Sequence, residues 1–268
     1  MTEIHPSCFD NAPEFIDEDN RIFRTFNPIS KSQMLAKHEA LLPAEMVKGK
    51  TVLDLGSCMG ATGHWCLSNG AAHYTGVEVQ HTYAELSQRL LTKYHAGKFK
   101  IETQPIEQWL VQPHAQYDIV CILGVLYAFS DYFLILRQAA ALSREWVAIE
   151  GIYPKVQHPD KFCGVIFIKN QPINLADKDA SVIGRGTLIS PNGLVWLMEE
   201  FGYSAPEFVI LPRPITDVPD IYNRNFSHLS YRRYLMRFKK DTQPAKTVSD
   251  NLQDGSGRVE LWSDFNKK

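Results

Sequence analysis

The sequence lacks the features that mark membrane-spanning, secreted and polyanion-binding proteins. Its longest apolar run, Ile119 to Phe129, is far shorter than the about 20 residues that a membrane-spanning helix needs. The formal net charge is only −2, which gives no overall attraction to a nucleic acid. Because no basic region followed by an apolar stretch stands near the first residue, we expect no secretory signal and a cytoplasmic protein.

Cysteine is scarce and is not arranged for metal binding. There is no C-x-x-C pair, and the two nearest cysteines are separated by seven residues. The histidines show no metal spacing either, so we expect no metal site and isolated thiols in a reducing compartment. The cysteines are Cys8, Cys58, Cys66, Cys121 and Cys163.

What the sequence does contain is enough apolar surface for a packed core. Hydrophobic residues make up 44% and charged residues 22% of the 268 positions. Residues 1–29 show no sustained period, and we expect a loosely structured arm there. A helix is predicted to begin at Ser30, which forms a capping box with Gln33, and to end at Pro43.

From residue 50 onward, short apolar runs alternate with helical patterns. The pattern predicts strands at 51–55, 73–79, 98–103, 118–123 and 146–150, and helices at 60–69, 82–94, 106–111 and 132–142. Strands that alternate with helices in this way form right-handed crossovers and a mostly parallel sheet. The near-continuous apolar strands indicate that both faces of the sheet are covered.

After residue 150 this alternation stops. Residues 151–189 are interpreted as an insertion that, with 212–230, shapes an acceptor site. Ser190-Pro191 then opens a helix that Gly202 closes, and strands are predicted at 208–211 and 231–238. The expected fold is α/β, Rossmann-like and doubly wound, with a mostly parallel seven-stranded sheet and an insertion after the fifth strand. Its expected divisions are an N-terminal arm and helix (1–47), one domain (48–240) and a mobile tail (241–268).

The most informative stretch runs from Val52 to Gly63 and joins the first strand to the first helix of this sheet. Ligands of open parallel sheets bind at the carboxyl ends of the strands, where small residues let them approach the backbone. Gly56 and Gly60 allow that approach, and Gly63 allows the helix to pack closely on a strand. Asp54, at the end of the strand, is placed to accept a hydrogen bond from the cationic amino group of a methionine-like moiety.

A second acidic residue, Glu78, lies at the end of the next predicted strand. An acid at that position accepts hydrogen bonds from the hydroxyl groups of a ribose. NAD is the alternative ligand, but its G-x-G-x-x-G pattern requires glycine at position 58, where Cys58 stands. S-adenosylmethionine (SAM) has no pyrophosphate to accommodate, so the residues favour SAM.

At this point the chain resembles the class I SAM-dependent methyltransferases over residues 48–150. Their first motif reads acid-x-Gly-x-Gly-x-Gly, which Asp54, Gly56 and Gly60 match and Cys58 does not. The resemblance implies that Pro105-Ile106-Glu107 lies against the adenine and that the end of the fourth strand lies beside the methyl group. The expected donor-binding residues are therefore Asp54, Gly56, Ser57, Cys58, Gly60, Glu78, Ile106, Glu107, Leu123 and Gly124.

A longer resemblance is to the wobble-uridine tRNA carboxymethyltransferases and their small relatives. It rests on Gly124-Val125-Leu126-Tyr127, Ile106-Glu107-Gln108, Ile189-Ser190-Pro191, and Arg232 ahead of Leu235-Met236. In that family the residues that match Tyr127 and Arg232, with an N-terminal lysine, hold the extra carboxylate of carboxy-SAM. The N-terminal Lys-Gly-Pro-Phe segment is missing here, so ordinary SAM is the expected donor.

On the acceptor side the candidate catalytic residues are Tyr127, Glu150 and Arg232. Tyr127 is expected either to line the acceptor pocket or to be a core aromatic. Glu150 is expected either to act as a base or orient the acceptor, or to be a satisfied polar strand end. His64 is a weaker candidate for contact with the donor. Because methyl transfer is an in-line displacement, positioning matters more than acid–base help.

One basic segment raises the alternative of an RNA substrate. Phosphate contacts and aromatic stacking suit such a segment, but a solvated strand accounts for it equally simply, and we favour that interpretation. The hypotheses are thus a SAM-dependent methyltransferase of a small molecule or polar conjugate, a tRNA-modifying (carboxy)methyltransferase, and an NAD-dependent enzyme or non-catalytic nucleotide-binding module. The segment comprises Arg224, Arg232, Arg233, Arg237, Lys239 and Lys240, with Tyr222, Tyr231 and Tyr234 between them.

Overall fold

A computed structural model describes residues 7–23, 30–129, 131–154, 164–172, 183–208 and 231–241. Its helices are α1 (Glu14–Phe23), α2 (Lys31–Leu41), α3 (Ala44–Val47), α4 (Ala61–Ser68), α5 (His81–His95), α6 (Ile106–Leu110), α7 (Tyr132–Leu142) and α8 (Pro191–Glu200). Its strands are β1 (Thr51–Leu55), β2 (His73–Val77), β3 (Phe99–Glu102), β4 (Tyr117–Leu123), β5 (Ser143–Pro154), β6 (Val165–Pro172), β7 (Ile183–Ile189), β8 (Glu207–Phe208) and β9 (Tyr231–Lys239). Short 3-10 turns stand at Cys8–Asp10 and Leu126–Ala128. The predicted tail beyond 241 and the segment 212–230 lie outside the described residues.

Seven strands form one sheet in the order β3-β2-β1-β4-β5-β9-β8. Strands β1 to β5 pair in parallel, and β9 runs antiparallel to both β5 and β8. This confirms the expected α/β, mostly parallel, seven-stranded architecture. The strand order reverses between β1 and β4, which makes the carboxyl ends of these two strands the topological switch point.

Both faces of the sheet are buried, as the apolar strands predicted. Alternate residues of β1 and β4 point into different cores: Leu53 and Val120 into one with α6, α7 and α8, and Val52 and Ile119 into one with α2, α4 and α5. Helix α4 packs so closely on β2 that a Cβ at Gly63 would lie 2.6 Å from the Tyr74 ring. The close approach expected at Gly63 is therefore present.

Residues near the N-terminus contribute to the second core, where the sequence indicated no regular structure. The 3-10 turn and α1 place Phe9 and Phe15 in that core, and both are fully buried. His64 of α4 stacks on Phe15 with ring centroids 4.5 Å apart, and its Nε2 lies 3.1 Å from the carbonyl oxygen of Cys8. His64 therefore contacts the N-terminal layer, and the contact with the donor suggested for it is not supported.

The insertion after β5 contains an antiparallel hairpin, β6–β7, in which Val165 pairs with Ile189. The Thr187 hydroxyl donates to the carbonyl oxygen of Phe129 at 2.5 Å, and the Ser190 hydroxyl accepts from the Gly164 N–H at 3.0 Å. These bonds fasten the hairpin beside the 3-10 turn at the carboxyl end of β4. Among the described helices, none combines the length and the apolar character needed to cross a bilayer.

His38 of α2 makes the stability of the protein sensitive to mild acid. Its Nδ1 donates to the carbonyl oxygen of Met34 at 2.8 Å, so Nε2 accepts from the Thr62 hydroxyl at 3.3 Å. Burial, assisted by the charge of Lys37, lowers the pKa of His38 from 6.5 to about 3. Because this folded-state pKa lies below the unfolded value, the stabilisation is complete above pH 6.5 and is lost as the pH falls toward 3.

We therefore expect wild type to lose about 2 kcal/mol more stability than His38→Gln between pH 6.5 and 5, as urea unfolding would measure. The comparison with His38→Gln isolates this histidine from other groups that titrate in the same range. His81→Gln is the matched control, since that side chain is exposed and pairs with Glu85 across one helical turn. Equal pH slopes for wild type and His38→Gln would contradict the prediction.

Candidate functional site

The turn between β1 and α4 has a backbone that ordinary side chains rarely permit. Gly56, Cys58 and Gly60 all have positive φ, at +84°, +50° and +81°. A Cβ at Gly56 would lie 2.9 Å from the Val125 side chain, so glycine is required there for packing as well as for conformation. Cys58 occupies the left-handed region at a cost of about 1–2 kcal/mol. The motif's preference for glycine at position 58 thus has a conformational reason, which is the positive φ. Cys58 differs from the motif in residue type, but its backbone has this same positive φ.

Asp54 lies at the carboxyl end of β1, directly before this turn. It is 2% exposed, and its Oδ2 accepts a hydrogen bond of 2.8 Å from the Tyr74 hydroxyl. Its Oδ1 is buried and makes no close hydrogen bond within the part of the chain that the structure describes, although the Thr62 side chain is near enough to lower the pKa of Asp54. Burial raises the pKa of Asp54 to about 6, although the Tyr74 hydrogen bond and the positive charge of Lys37 act in the opposite direction. A buried carboxylate with an unused oxygen is suited to a cationic group of a ligand.

Glu78 follows β2, and its carboxylate links the turn after β1 to the segment after β2. Its Oε2 accepts from the Cys58 N–H at 2.9 Å, and its Oε1 accepts from the Gln80 N–H at 2.8 Å. Burial raises the pKa of Glu78, while these backbone hydrogen bonds lower it. Each oxygen retains a lone pair, so the carboxylate is held in one orientation and can still accept hydrogen bonds from two hydroxyl groups.

The remaining expected donor residues lie around the same edge of the sheet. Ser57 is buried, and its Oγ has no partner among the described residues. Ile106 at the start of α6 is buried in the core with Leu55 and Val77, whereas Glu107 is exposed. Leu123 ends β4, and Gly124 follows it with φ +74°. The structure thus brings the strand-end positions together, while the side chain of Glu107 is on the surface.

The three acceptor-side candidates are not gathered at one place as the donor-side residues are. Tyr127 is partly buried in the 3-10 turn after Gly124. Glu150 of β5 pairs with Leu123 in the parallel register and is 3% exposed. Arg232 lies in β9 opposite Tyr153, beyond Glu150 along β5, and its side chain lies outside the described residues.

One residue at this edge was not indicated by the sequence. Lys37 of α2 places its Nζ 2.5 Å from Oε2 of Glu150, and its charge also acts on Asp54. No local pattern marks Lys37, because its contact with Glu150 depends on how α2 packs against the sheet. Glu150 is therefore one half of an ion pair.

The three described arginine and lysine side chains of the basic segment make contacts within the protein. Arg237 donates to the carboxylate of Glu207 at 2.5 Å and to the carbonyl oxygen of Ala40 at 3.0 Å. The Lys240 ammonium donates to the carbonyl oxygen of Ser143 at 2.8 Å, and the Lys239 ammonium lies 5.6 Å from the centre of the Trp146 ring. The side chains of Arg224, Arg232 and Arg233 lie outside the described residues. These contacts favour the interpretation of a structural strand.

Solved structures identify this arrangement as the class I SAM-dependent methyltransferase fold. Magnesium protoporphyrin IX methyltransferase from Synechocystis PCC 6803, with bound S-adenosylhomocysteine (SAH), is 14% identical and has a TM-score of 0.53; the match covers 87% of this chain and 97% of that one. The N-terminal domain of EvdMO1, in the presence of SAH and D-fucose, is 13% identical with a TM-score of 0.56 and coverages of 88% and 100%. At these identities the likeness establishes the fold.

A curated protein is similar in sequence as well. The chain is 24% identical over 159 residues to ribosomal RNA small subunit methyltransferase G of Laribacter hongkongensis (strain HLHK9), covering 56% of this chain and 74% of that protein. No protein-family model matches the chain. The finer resemblance to the tRNA carboxymethyltransferases stays a prediction.

Proposed function

We propose that the protein is a SAM-dependent methyltransferase that acts on a small molecule or polar conjugate. The observation that carries this proposal is the buried Oδ1 of Asp54, which has no close hydrogen-bond partner among the described residues, at the switch point of a methyltransferase fold. That oxygen accepts the donor's amino group, Glu78 accepts the ribose hydroxyls, and the backbone from Gly56 to Gly60 borders the methionine portion. Bound SAM would supply an electrophilic methyl group on its sulfonium. The acceptor would attack the methyl carbon in line with the sulfur–carbon bond, and that bond would break with its electrons passing to sulfur, so that SAH is the leaving group.

The residues present fit this donor better than a dinucleotide. Cys58 carries a side chain where a pyrophosphate-binding turn needs glycine, and the neighbours of the same fold hold SAH. The expected adenine contact is supplied by Ile106, whose side chain stands with Leu55 and Val77 at the ends of their strands. Glu107 contributes only through its backbone, since its side chain is exposed.

The acceptor is proposed to enter between the 3-10 turn that carries Tyr127, the hairpin β6–β7 and the end of β5. Both the hairpin and the turn lie after the carboxyl ends of β4 and β5, which is where variable segments confer specificity on such sheets. A small acceptor is favoured over RNA because Arg237, Lys239 and Lys240 are engaged with the protein itself. Since Glu150 is paired with Lys37, its proposed role is to orient the acceptor rather than to remove a proton freely.

The test is direct binding of nucleotide ligands to the purified wild-type protein. Titration calorimetry is expected to give micromolar dissociation constants for SAM and SAH and none for NAD. Mass spectrometry of small molecules released from the freshly purified protein is expected to find SAM or SAH. Absence of SAM and SAH binding at millimolar ligand, or the release of NAD, would remove the proposal.

A further inference from the structure

The ion pair between Lys37 and Glu150 lies where the proposed function requires the methyl group to be transferred. Glu150 stands opposite Leu123 in the register of β4 and β5. Its Oε2 is 3.7 Å from the position that a Cβ would take on Gly124. The carboxylate therefore faces the end of β4, beside the donor position that the fold implies, and not the bulk solvent.

Lys37 reaches this edge from a different layer of the molecule. It belongs to α2, its side chain is 24% exposed, and its Nζ is 2.5 Å from Oε2 of Glu150, which is 3% exposed. The same positive charge acts on Asp54 and on Cys121, both near the switch point. Lys37 is thus the outer, partly hydrated member of the pair, and Glu150 is the buried member.

Such a pair controls the charge that a ligand experiences at this edge. A buried carboxylate without a cation is strongly unfavourable, which explains why Lys37 is needed in the unliganded protein. The carboxylate attracts positive charge placed beside it, and the ammonium partly cancels that attraction. The methyl donor has a positive charge on its sulfur, whereas the demethylated product has a neutral thioether there.

We infer that Lys37 and Glu150 together determine how strongly the site distinguishes a cationic sulfonium donor from its neutral thioether product. Glu150 favours the sulfonium, and Lys37 limits that preference and holds the carboxylate in position. The inference rests on the proposed function, because it supposes that the sulfur lies at the end of β4. A merely structural ion pair would alter the binding of both ligands equally.

The experiment measures the ratio of the SAH dissociation constant to the SAM dissociation constant by calorimetry at pH 8.5. Glu150→Gln is expected to lower this ratio by about threefold to tenfold. The ammonium of Lys37 is then left without its partner and disfavours the positively charged sulfonium of SAM. Lys37→Gln is expected to raise it by a similar factor of about threefold to tenfold, and Lys37→Arg to leave it unchanged. SAH binding itself shows that each variant has retained the site.

The matched control is Lys50→Gln, which breaks the pair of the same length between Lys50 and Glu145 at the opposite end of β5. Its ratio should equal that of wild type. Should Lys37→Gln fail to fold, the double variant Lys37→Gln/Glu150→Gln, which removes both charges, is expected to keep the wild-type ratio. The inference would be overturned if Glu150→Gln had the same ratio as wild type. It would also be overturned if Glu150→Gln and Lys37→Gln changed the ratio in the same direction. Failure of wild type to bind either ligand would instead remove the proposed function.

Discussion

Asp54→Asn is expected to weaken the binding of SAM and SAH by at least about 100-fold, because a charge-assisted hydrogen bond to the ligand's amino group is lost inside a buried site. The same substitution is expected to make the unliganded protein more stable. Titration calorimetry measures the first effect and urea unfolding the second. The opposite signs of the two effects distinguish a binding residue from a residue that supports the fold.

The stability gain follows from the pKa of Asp54. Burial raises this pKa from 3.8 to about 6, so the folded protein holds a proton that the unfolded chain releases. The resulting penalty is absent below pH 3.8, grows as the pH rises through 6, and reaches about 3 kcal/mol at pH 7. Asparagine removes the charge and retains an oxygen for the Tyr74 hydroxyl, but it adds a buried N–H. We therefore expect a net gain of about 2 kcal/mol.

Asp118→Asn is the matched control, since Asp118 lies at the other end of the neighbouring strand β4. Its Oδ2 accepts from the Thr51 N–H at 2.8 Å, and its Oδ1 accepts from the Arg144 Nε at 2.9 Å. Burial alone would raise the pKa of Asp118, but these hydrogen bonds outweigh it and lower the pKa. Asp118→Asn should therefore reduce stability and leave ligand binding unchanged. If Asp54→Asn showed that same pattern, Asp54 would be a structural residue.

The parts of this structure that the sequence predicted are those that depend on local spacing. Buried parallel strands are apolar on both faces, so Thr51–Leu55 and Tyr117–Leu123 could be recognised without their neighbours. The capping box at Ser30 and the helix opened by Ser190-Pro191 form as expected, because a cap involves residues within one turn. Strand ends followed by small residues then indicated the candidate site.

The parts that the sequence did not predict depend on contacts between distant elements. Phe9 and Phe15 have no periodic relationship, and they become core residues only because α4 and α5 provide a surface for them. Lys37 resembles any other helical lysine until α2 is placed over the end of β5. The proposed acceptor side is hidden for the same reason, since the hairpin β6–β7 is bonded to the turn after β4 through Thr187 and Phe129.

Glu78 offers the second large expected effect, and it can be tested at the level of individual ligand atoms. Glu78→Ala is expected to weaken SAH binding by about 100-fold, because two ribose hydroxyls lose their acceptor in a buried site. It also leaves the Cys58 and Gln80 N–H groups without the carboxylate that now holds the turn. Glu78→Gln keeps one acceptor oxygen and is expected to lose about tenfold.

A comparison of two ligands separates the sugar contact from the loss of the turn. Removing both ribose hydroxyls, as in the 2′,3′-dideoxy analogue of SAH, should weaken binding to wild type by about as much as Glu78→Ala weakens the binding of SAH. The analogue and SAH should then bind Glu78→Ala almost equally. The variant no longer has the carboxylate with which the ribose hydroxyls of SAH would interact. If Glu78→Ala still preferred SAH over the analogue by the wild-type factor, the ribose would be held elsewhere. Glu78 would then serve only to hold the backbone of Cys58, which has a positive φ and donates its N–H to Glu78 Oε2.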